Sequence, residues 1–460
     1  MLTLIIDEEY AALQPELQYV TDVYNSVYDN VPDLTLSYGY SQDGAISIIP
    51  ADAQQFFINL ETIPDQYCWF RWSGTKIPLL FQEEIPGEIV SQEDSIRIHG
   101  DILASAFYFL SCWQEIHSDT GDHLGRFPAR ESFLVRHNLL HIPVVNYYFD
   151  VLTTAVEYAT GSRPTPVLSM NNKHALTAVI THDIDQCKTG WKQETRRALQ
   201  DGKPLPALTA LSRKLFSRDV WFNFDTILEI ERQQEVPATF FFIPEHRKYG
   251  KHPNADYKIQ SERILEVLEK IRQAGHEIGV HASLGTGWNE TQLRSDLERF
   301  PGQVLGGRFH YLAFSLPDSF RVIESSGLHY DTSPGFSERV GFRSSICYPY
   351  RPYNPETRSA YSFYEFPLAL MDWTFIGTEY MNLSPEEIYP YVETLLQEVQ
   401  KFNGMFVVLW HNNSFSGYKF RGWDTPFLWL LQEVRNRSGR FALPGEVLES
   451  IEATDIITTL

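Results

Sequence analysis

Residues 175–185 read Ala-Leu-Thr-Ala-Val-Ile-Thr-His-Asp-Ile-Asp. The first seven form an apolar run rich in β-branched side chains, which favours a buried strand, and the last four form a polar cluster. Similar apolar runs occur at 236–243, 276–280 and 404–410. Between them, segments such as 262–274 carry apolar residues at helical spacing. Strands that alternate with helices predict a parallel sheet with crossover helices.

Polar side chains follow the successive strand candidates of this region. The carboxyl ends of parallel strands meet at one rim of a sheet or barrel, so we expect these side chains to converge there. Carboxylates and imidazoles in one cluster suit a divalent metal together with a general base. Taken singly, each residue is more typical of a solvated turn, a structural side chain or a surface ion pair than of a functional site. The residues are His182, Asp183, Asp185, His281, Arg308, His310, Asp372 and His411.

The length predicts two domains, because 460 residues exceed the size of one ordinary hydrophobic core. The segment 161–166, Gly-Ser-Arg-Pro-Thr-Pro, carries turn residues and two prolines and is the predicted linker. We therefore expect an N-terminal domain over 1–165, to which the sequence assigns no role, and a second domain over 166–460. Within the first, 101–115 predicts a buried helix.

The net charge of the chain indicates which kinds of partner it disfavours. The chain has 38 Lys and Arg against 59 Asp and Glu, a net charge of −21, which disfavours nucleic acid and anionic surfaces as main partners. The four cysteines are widely spaced and predict neither a disulfide framework nor a metal clip. No signal peptide or membrane-spanning stretch is recognisable, so we expect a cytoplasmic protein without membrane insertion. The oligomeric state stays open.

The order of motifs resembles the polysaccharide deacetylase superfamily, whose catalytic unit is the NodB-homology domain. The resemblance covers about 174–415 and depends on the whole set, since no single motif is specific. The N-terminal segment resembles the leader domain of a bacterial branch of this superfamily. The matching motifs are Thr181-His182-Asp183-Ile184-Asp185, Ala238-Thr239-Phe240-Phe241, Gly275-His276-Glu277-Ile278-Gly279-Val280-His281, Arg308-Phe309-His310-Tyr311, Asp372-Trp373 and Leu409-Trp410-His411.

The resemblance implies both a fold and an activity. The expected fold class is α/β: a distorted (β/α) barrel of the polysaccharide deacetylase type, preceded by a smaller α/β or α+β domain. The expected activity is removal of an acetyl group from an N-acetylated or O-acetylated sugar or oligosaccharide by a metal-dependent hydrolase.

Three departures from the family pattern concern the metal site. Gly285 stands where the second histidine of the second motif is expected, and Ile184 separates two aspartates that are usually adjacent. A histidine, His310, replaces the proline of the third motif. We therefore predict a rebuilt site of Asp185, His281 and His310, with His182 able to substitute for any of them. Two imidazoles and one carboxylate suit Zn²⁺ best, with Co, Ni, Mn or Fe as alternatives.

The resemblance also implies roles for the remaining polar residues. Asp183 is the expected general base, and Arg308 or Asp372 is expected to orient it. His411 is the expected general acid, because an amine is a poor leaving group unless it is protonated. The aromatic residues expected to contact a sugar are Tyr311, Trp373 and Trp410.

Two other functions remain open at this point. The same fold could hydrolyse a non-sugar amide or a cyclic imide, because a fold does not determine a substrate. Alternatively, the missing second histidine could mark an inactive protein that binds glycan or a partner protein without metal.

Overall fold

The computed structural model describes residues 1–40, 44–85, 87–92, 95–169, 173–216 and 219–458. They form an N-terminal region with its own sheet and a C-terminal region built on a larger, curled parallel sheet. Within the described part of the chain, none of the helices combines the length and apolar character that a bilayer crossing requires.

The strands of the N-terminal region are β1 (Leu2–Ile6), β2 (Tyr28–Asp29), β3 (Leu34–Tyr38), β4 (Ile46–Ile48), β5 (Tyr67–Trp72), β6 (Thr75–Leu80), β7 (Val90–Gln92), β8 (Ile96–Ile98) and β9 (Thr165–Pro166). The helices of this region are α1 (Gln14–Val27), α2 (Gln54–Ile58), α3 (Ile102–Leu110), α4 (Trp113–Ile116), α5 (Phe133–Arg136) and α6 (Val144–Thr160).

The N-terminal sheet has the order β1-β3-β4-β8-β7, with all pairs parallel except β7–β8. Helices α1, α3 and α6 pack together against it. The helix predicted over 101–115 is interrupted, because Cys112 adopts a left-handed backbone conformation with φ of 53° between α3 and α4. The predicted smaller α/β or α+β domain is confirmed, and its mainly parallel sheet corresponds to the first alternative.

The C-terminal strands are β10 (Thr177–Ile184), β11 (Ala238–Phe242), β12 (Glu277–Ala282), β13 (Gly306–Phe309), β14 (Tyr330–Asp331), β15 (Tyr353–Asn354), β16 (Ser359–Ala360), β17 (Tyr364–Glu365), β18 (Leu368–Met371), β19 (Met405–Leu409) and β20 (Arg440–Phe441). The C-terminal helices are α7 (Gly190–Gln200), α8 (Pro204–Phe216), α9 (Phe224–Gln233), α10 (Glu262–Gln273), α11 (Glu290–Arg299), α12 (Asp318–Ser326), α13 (Asp372–Ile376), α14 (Tyr389–Lys401), α15 (Asp424–Asn436) and α16 (Pro444–Thr458).

The large sheet curls into a barrel. Strands β10 to β14 lie side by side in chain order, and β19 returns to pair with the other edge of β10, all in parallel. The segment 364–371 joins the two ends, because β17 pairs with β14 while β18 pairs with β19. Its partner changes at Pro367, which has no N–H to donate to a ladder. The predicted distorted (β/α) barrel is confirmed.

Strand β10 is longer than the sequence pattern suggested. All eight residues of Thr177–Ile184 are buried, including the polar ones at its carboxyl end. The strand continues through Asp183 because its backbone stays paired with β11 as far as Ile184, and Arg308 pairs with the Asp183 carboxylate inside the barrel at 2.8 Å. Tertiary pairing of this kind extends a strand into residues that look like a turn in the sequence.

The two regions share a polar and apolar interface. Arg343 of the barrel region forms a buried ion pair with Glu115 of the N-terminal region at 2.6 Å. The backbone N–H of Val145 donates to the carbonyl of Ser345 at 3.0 Å. The last two residues of the predicted linker form β9, which pairs with β2. The boundary at 165/166 stays a prediction.

Candidate metal centre and active site

Strand β10 sends alternate side chains to opposite faces of the sheet, as the two-residue period of a strand requires. Thr181 and Asp183 both accept hydrogen bonds from Nη1 of Arg308 inside the barrel, at 2.9 and 2.8 Å. His182 lies between them and faces the outer helices. Asp185, two residues after Asp183, follows on the inner side at the rim of the barrel.

Three metal-ligand side chains converge at this rim. Asp185 Oδ1 lies 3.3 Å from His281 Nε2 and 3.4 Å from His310 Nδ1. The two ring nitrogens lie 3.1 Å apart. His281 belongs to β12 and His310 directly follows β13, so the cluster forms only when separate parallel strands align their carboxyl ends.

Backbone carbonyls orient both imidazoles of the cluster. His281 Nδ1 donates to the carbonyl of Arg308 at 2.9 Å, and His310 Nε2 donates to the carbonyl of Pro253 at 3.2 Å. A carbonyl can only accept, so the remaining nitrogen of each neutral ring presents a lone pair to the cluster. Burial lowers the pKa of His310 to about 4, whereas at His281 the carboxylates of Asp183 and Asp185 outweigh burial and raise the pKa.

The donor set fits a divalent cation. With metal–nitrogen bonds of about 2.0–2.1 Å, the ligand atoms of a tetrahedral ion lie about 3.3 Å apart, close to the spacing found here. Asp185 Oδ1 is buried and accepts no hydrogen bond among the described residues. Burial opposes ionisation of Asp185, but His310 and His281 outweigh it and hold the pKa of this carboxyl well below its usual range. The cluster therefore favours a positive charge between its members.

Asp183 stands beside the cluster with one oxygen held and the other turned toward it. Its Oδ1 is the one bound to Arg308, and its Oδ2 lies 3.4 Å from His281 Nε2. Arg308 is itself fixed, because its Nε donates to the carbonyl of Thr332 at 2.9 Å and its guanidinium lies 4.9 Å from the ring centre of Phe241. This arrangement orients Asp183 and leaves Oδ2 available.

His411 stands on the other side of the cleft. Its Nδ1 lies 2.6 Å from Oδ1 of Asp372, and its backbone N–H donates to Oδ2 of the same carboxylate at 2.9 Å. The hydroxyl of Ser414 also donates to that carboxylate. Burial disfavours a charged ring, but Asp372 outweighs it and raises the pKa of His411 to about 9. His411 is therefore protonated near neutral pH, with Nε2 3.9 Å from Asp185 Oδ2.

These groups line a cleft of about 350 Å³, which also includes Tyr311 and Trp373. Its wall contains Arg126 of the N-terminal region, a residue that the sequence pattern did not single out. Arg126 Nη1 donates to the carbonyl of Tyr311 at 2.8 Å, and Nη2 lies 2.7 Å from a carboxylate oxygen of Asp122. The predicted sugar-contacting residues Tyr311 and Trp373 thus lie in the cleft together with a wall from the other region.

Two predicted site residues lie elsewhere. His182 faces the outer helices, where its Nε2 is 2.6 Å from Glu231 and its Nδ1 is 2.6 Å from the carbonyl of Trp410, so it cannot substitute as a ligand. Trp410 is fully buried and packs on Phe427, with ring centres 5.5 Å apart, so it cannot contact a substrate. Both corrections have the same physical cause, the strand alternation that turns neighbouring residues inward.

Arg308 and Asp372 orient different residues of the site. Asp372 was expected as an alternative partner of the base, but it contacts His411, while Arg308 contacts Asp183. The pairing could not be read from the sequence, because Asp183 and Arg308 lie in β10 and β13, whereas Asp372 and His411 follow β18 and β19. The hydrogen-bond partners identify Asp372 as the residue that orients the predicted acid.

Gly285 marks where the second-motif histidine of the resembling family would stand. Its φ is +99°, in the left-handed region, and a Cβ built on it would lie 2.6 Å from Cε2 of Tyr249. A histidine therefore does not fit at this position without displacing that ring. The left-handed backbone and the nearby Tyr249 ring therefore both favour glycine at position 285.

Comparisons with known proteins concern different parts of the chain. Residues 7–160 match a family of unknown function, DUF7033. No curated protein matches the chain by sequence.

Solved structures resemble mainly the barrel. A Mycobacterium smegmatis protein assigned as a polysaccharide deacetylase is 19% identical over 62% of this chain and 92% of that one, with a TM-score of 0.43. Puue allantoinase is 14% identical over 62% of this chain and 93% of its own, with a TM-score of 0.41. A Pseudomonas aeruginosa protein assigned as a polysaccharide deacetylase is 13% identical over 62% and 93%, also with a TM-score of 0.41. Polysaccharide deacetylases are thus among the structures that this chain resembles, as the motif order predicts.

Proposed function

We propose that the protein is a metal-dependent hydrolase that removes an acetyl group from an N-acetylated or O-acetylated sugar or oligosaccharide. One observation carries the proposal. Asp185, His281 and His310 bring three ligand atoms to within 3.1–3.4 Å of one another, and the cleft they line also presents an oriented carboxylate and an oriented imidazole.

The three ligands would hold the divalent metal that the resemblance implies, with Zn²⁺ the best match to two imidazoles and one carboxylate. Such an ion supplies Lewis-acid polarisation of a carbonyl and lowers the pKa of bound water. Co, Ni, Mn and Fe remain alternatives, because geometry alone does not separate borderline divalent ions.

Asp183 acts as the general base in this proposal. Arg308 occupies Oδ1, so Oδ2 is the atom that accepts a proton from the attacking water. The oxygen of that water forms the new bond to the acetyl carbonyl carbon. Arg308 is a positioning residue, since its fixed guanidinium keeps Oδ2 aimed at the cleft.

His411 acts as the general acid. The bond between the acetyl carbon and the sugar nitrogen or oxygen breaks, and Nε2 of His411 gives its proton to the leaving atom, releasing acetate. Asp372 keeps the ring charged before this step and fixes which nitrogen faces the cleft. After acetate leaves, Asp183 gives up the proton it accepted and His411 takes up a proton, both by exchange with solvent, which restores the starting protonation states.

The substrate class follows from the resemblance and from the cleft. A volume of about 350 Å³ lies within the range of small-molecule sites, and Tyr311 and Trp373 offer apolar faces to a sugar ring. A chain with a net charge of −21 suits a neutral or amino sugar better than a strongly anionic polymer.

Metal content is the first test. Protein purified without chelators or a His tag is expected to contain about one divalent metal per chain by elemental mass spectrometry. His281→Ala is expected to lose this metal, whereas His329→Ala, at an exposed histidine on the barrel, should retain it. Loaded protein is then screened for acetate release from acetylated sugars. Unchanged metal in His281→Ala would remove His281 from the site.

A second candidate function is glycan or partner binding by an inactive protein, favoured by the missing second-motif histidine at Gly285. It predicts no metal even after soaking with each divalent ion, and no hydrolysis. A metal-loaded protein that releases no acetate but hydrolyses a non-sugar amide or a cyclic imide would instead select the other hydrolase.

A further inference from the structure

Helix α8 buries its small side chains and exposes its large ones. Ala207 and Ala210 are 6% and 3% exposed and face α7, on which the helix mainly packs. In contrast, Leu205, Leu208 and Leu211 are 76%, 62% and 41% exposed. An ordinary surface helix buries its leucines. A row of leucines on the exposed side therefore indicates a surface that contacts another apolar surface.

Helices α7 and α8 form a helical hairpin, the α7–α8 hairpin. It carries more positive than negative side chains, although the chain as a whole is negatively charged. Residues 190–216 contain six Lys and Arg against two Asp and Glu, in a protein of net charge −21. The two acids are engaged: Glu194 accepts the backbone N–H of Tyr418 at 2.8 Å, and Asp201 lies 3.1 Å from Arg197. The exposed cations are Lys192, Arg196, Arg197, Lys203, Arg213 and Lys214.

We propose that the α7–α8 hairpin docks on the surface of an anionic lipid bilayer. Leucines flanked by lysines and arginines are the pattern of an interfacial helix, whose apolar side chains enter the acyl boundary while its cations contact lipid phosphates. Each such cation near an anionic surface strengthens binding, and added salt screens the attraction. The negative remainder of the chain is repelled, which orients the protein with this hairpin toward the lipid.

Other partners fit the hairpin less well. A second copy meeting the same face would bring two cationic surfaces together, which like charges oppose. Nucleic acid would satisfy the cations but leave the leucines in water.

The hairpin also borders the cleft. Gln193 of α7 lines it, and Lys419 Nζ donates to the side chain of Gln193 at 2.5 Å. Docking therefore places a helix that contributes to the cleft wall at the bilayer surface. The proposal itself needs no catalytic activity and does not depend on the proposed function.

Vesicle sedimentation of the full chain tests the proposal. Wild-type protein is expected to sediment with phosphatidylglycerol–phosphatidylcholine vesicles, less so as NaCl increases, and not with phosphatidylcholine alone. The double variant Leu205→Ser, Leu208→Ser is expected to bind at least about tenfold more weakly, because it removes two apolar side chains that would enter the acyl boundary.

The matched control replaces two exposed leucines outside the hairpin, Leu265→Ser with Leu305→Ser, which are 40% and 43% exposed, and should bind as wild type. Equal binding by wild type and the hairpin variant would overturn the proposal. Failure of the wild type to bind anionic vesicles would also overturn it. A dimer in gel filtration that only the hairpin variant loses would overturn it too, and would assign this face to a second copy of the chain.

Discussion

Arg126 of the N-terminal region donates a hydrogen bond from Nη1 to the backbone carbonyl of Tyr311 on the barrel rim, at 2.8 Å. Tyr311 has a φ of 62°, a left-handed conformation that is uncommon for a residue with a side chain. The N-terminal region therefore helps to hold a cleft residue in a backbone conformation that costs about 1 kcal/mol or more.

Arg126→Met is expected to raise KM for an acetylated sugar more than it lowers kcat, because it releases Tyr311 without touching the metal ligands. A hydrogen bond from a charged group contributes about 1.5–3 kcal/mol, so the urea midpoint should fall as well. Steady-state kinetics and urea unfolding check both effects. The matched variant Arg130→Met, at a side chain that is 79% exposed, should change neither. Equal losses in kcat and kcat/KM would contradict a positioning role.

His310→Ala is expected to remove the bound metal, and adding Gly285→His should not restore it. Position 285 has left-handed backbone, and a Cβ there would lie 2.6 Å from the Tyr249 ring. Elemental mass spectrometry of wild type, the single variant and the double variant checks this. Metal regained in the double variant would show that the family's usual ligand position can still be used here.

His411→Gln is expected to lose about 10²–10⁴-fold in kcat while keeping its metal, because the residue transfers a proton and is not a ligand. Asp372→Asn acts through the same ring, so the double variant should be hardly slower than His411→Gln alone. Acetate release and metal content are measured for all three proteins. Additive losses would mean that Asp372 has a role independent of His411.

Glu365→Gln is expected to stabilise the fold at high pH. Burial, together with the neighbouring carboxyl of Asp331, raises the pKa of Glu365 well above its usual value, and burial raises the pKa of Asp331 to about 6. A raised carboxyl pKa means that folding takes up a proton. Its stabilising contribution is therefore full below the unfolded pKa and is lost as pH rises through the folded pKa.

Urea unfolding at pH 5 and pH 8 measures this effect. The stability gained by Glu365→Gln should grow with pH by up to about 1.4 kcal/mol per unit in the titrating range. Glu386→Gln, at an exposed carboxylate, should give the same small difference at both values. A gain that does not depend on pH would argue against proton uptake by Glu365.

Much of the barrel was predictable because its signals are local. The apolar runs at 175–181 and 236–243 correspond to β10 and β11, and Asn289 caps α11 by accepting from the N–H of Gln292 at 3.0 Å, as its position suggests. Motif order then placed the candidate ligands on successive strands. These features depend on residue type and spacing within a few positions.

Other features depend on which face a side chain takes. Both His182 and Trp410 are motif residues, yet they face the outer helices while their neighbours face the cleft. Strand alternation could have indicated this, but only once the end of β10 was known to extend through Asp183. That extension depends on backbone pairing with β11, which is distant in the sequence.

The sequence by itself determined the alternation of strands and helices, the order of the polar strand ends and the types of ligand and proton-transfer groups present, because these follow from residue types at short spacing. Tertiary structure alone decided that Asp185, His281 and His310 meet within 3.1–3.4 Å, that Asp372 orients His411, and that Arg126 reaches the cleft. Those relations join residues that are up to 185 positions apart, and only packing brings such residues together.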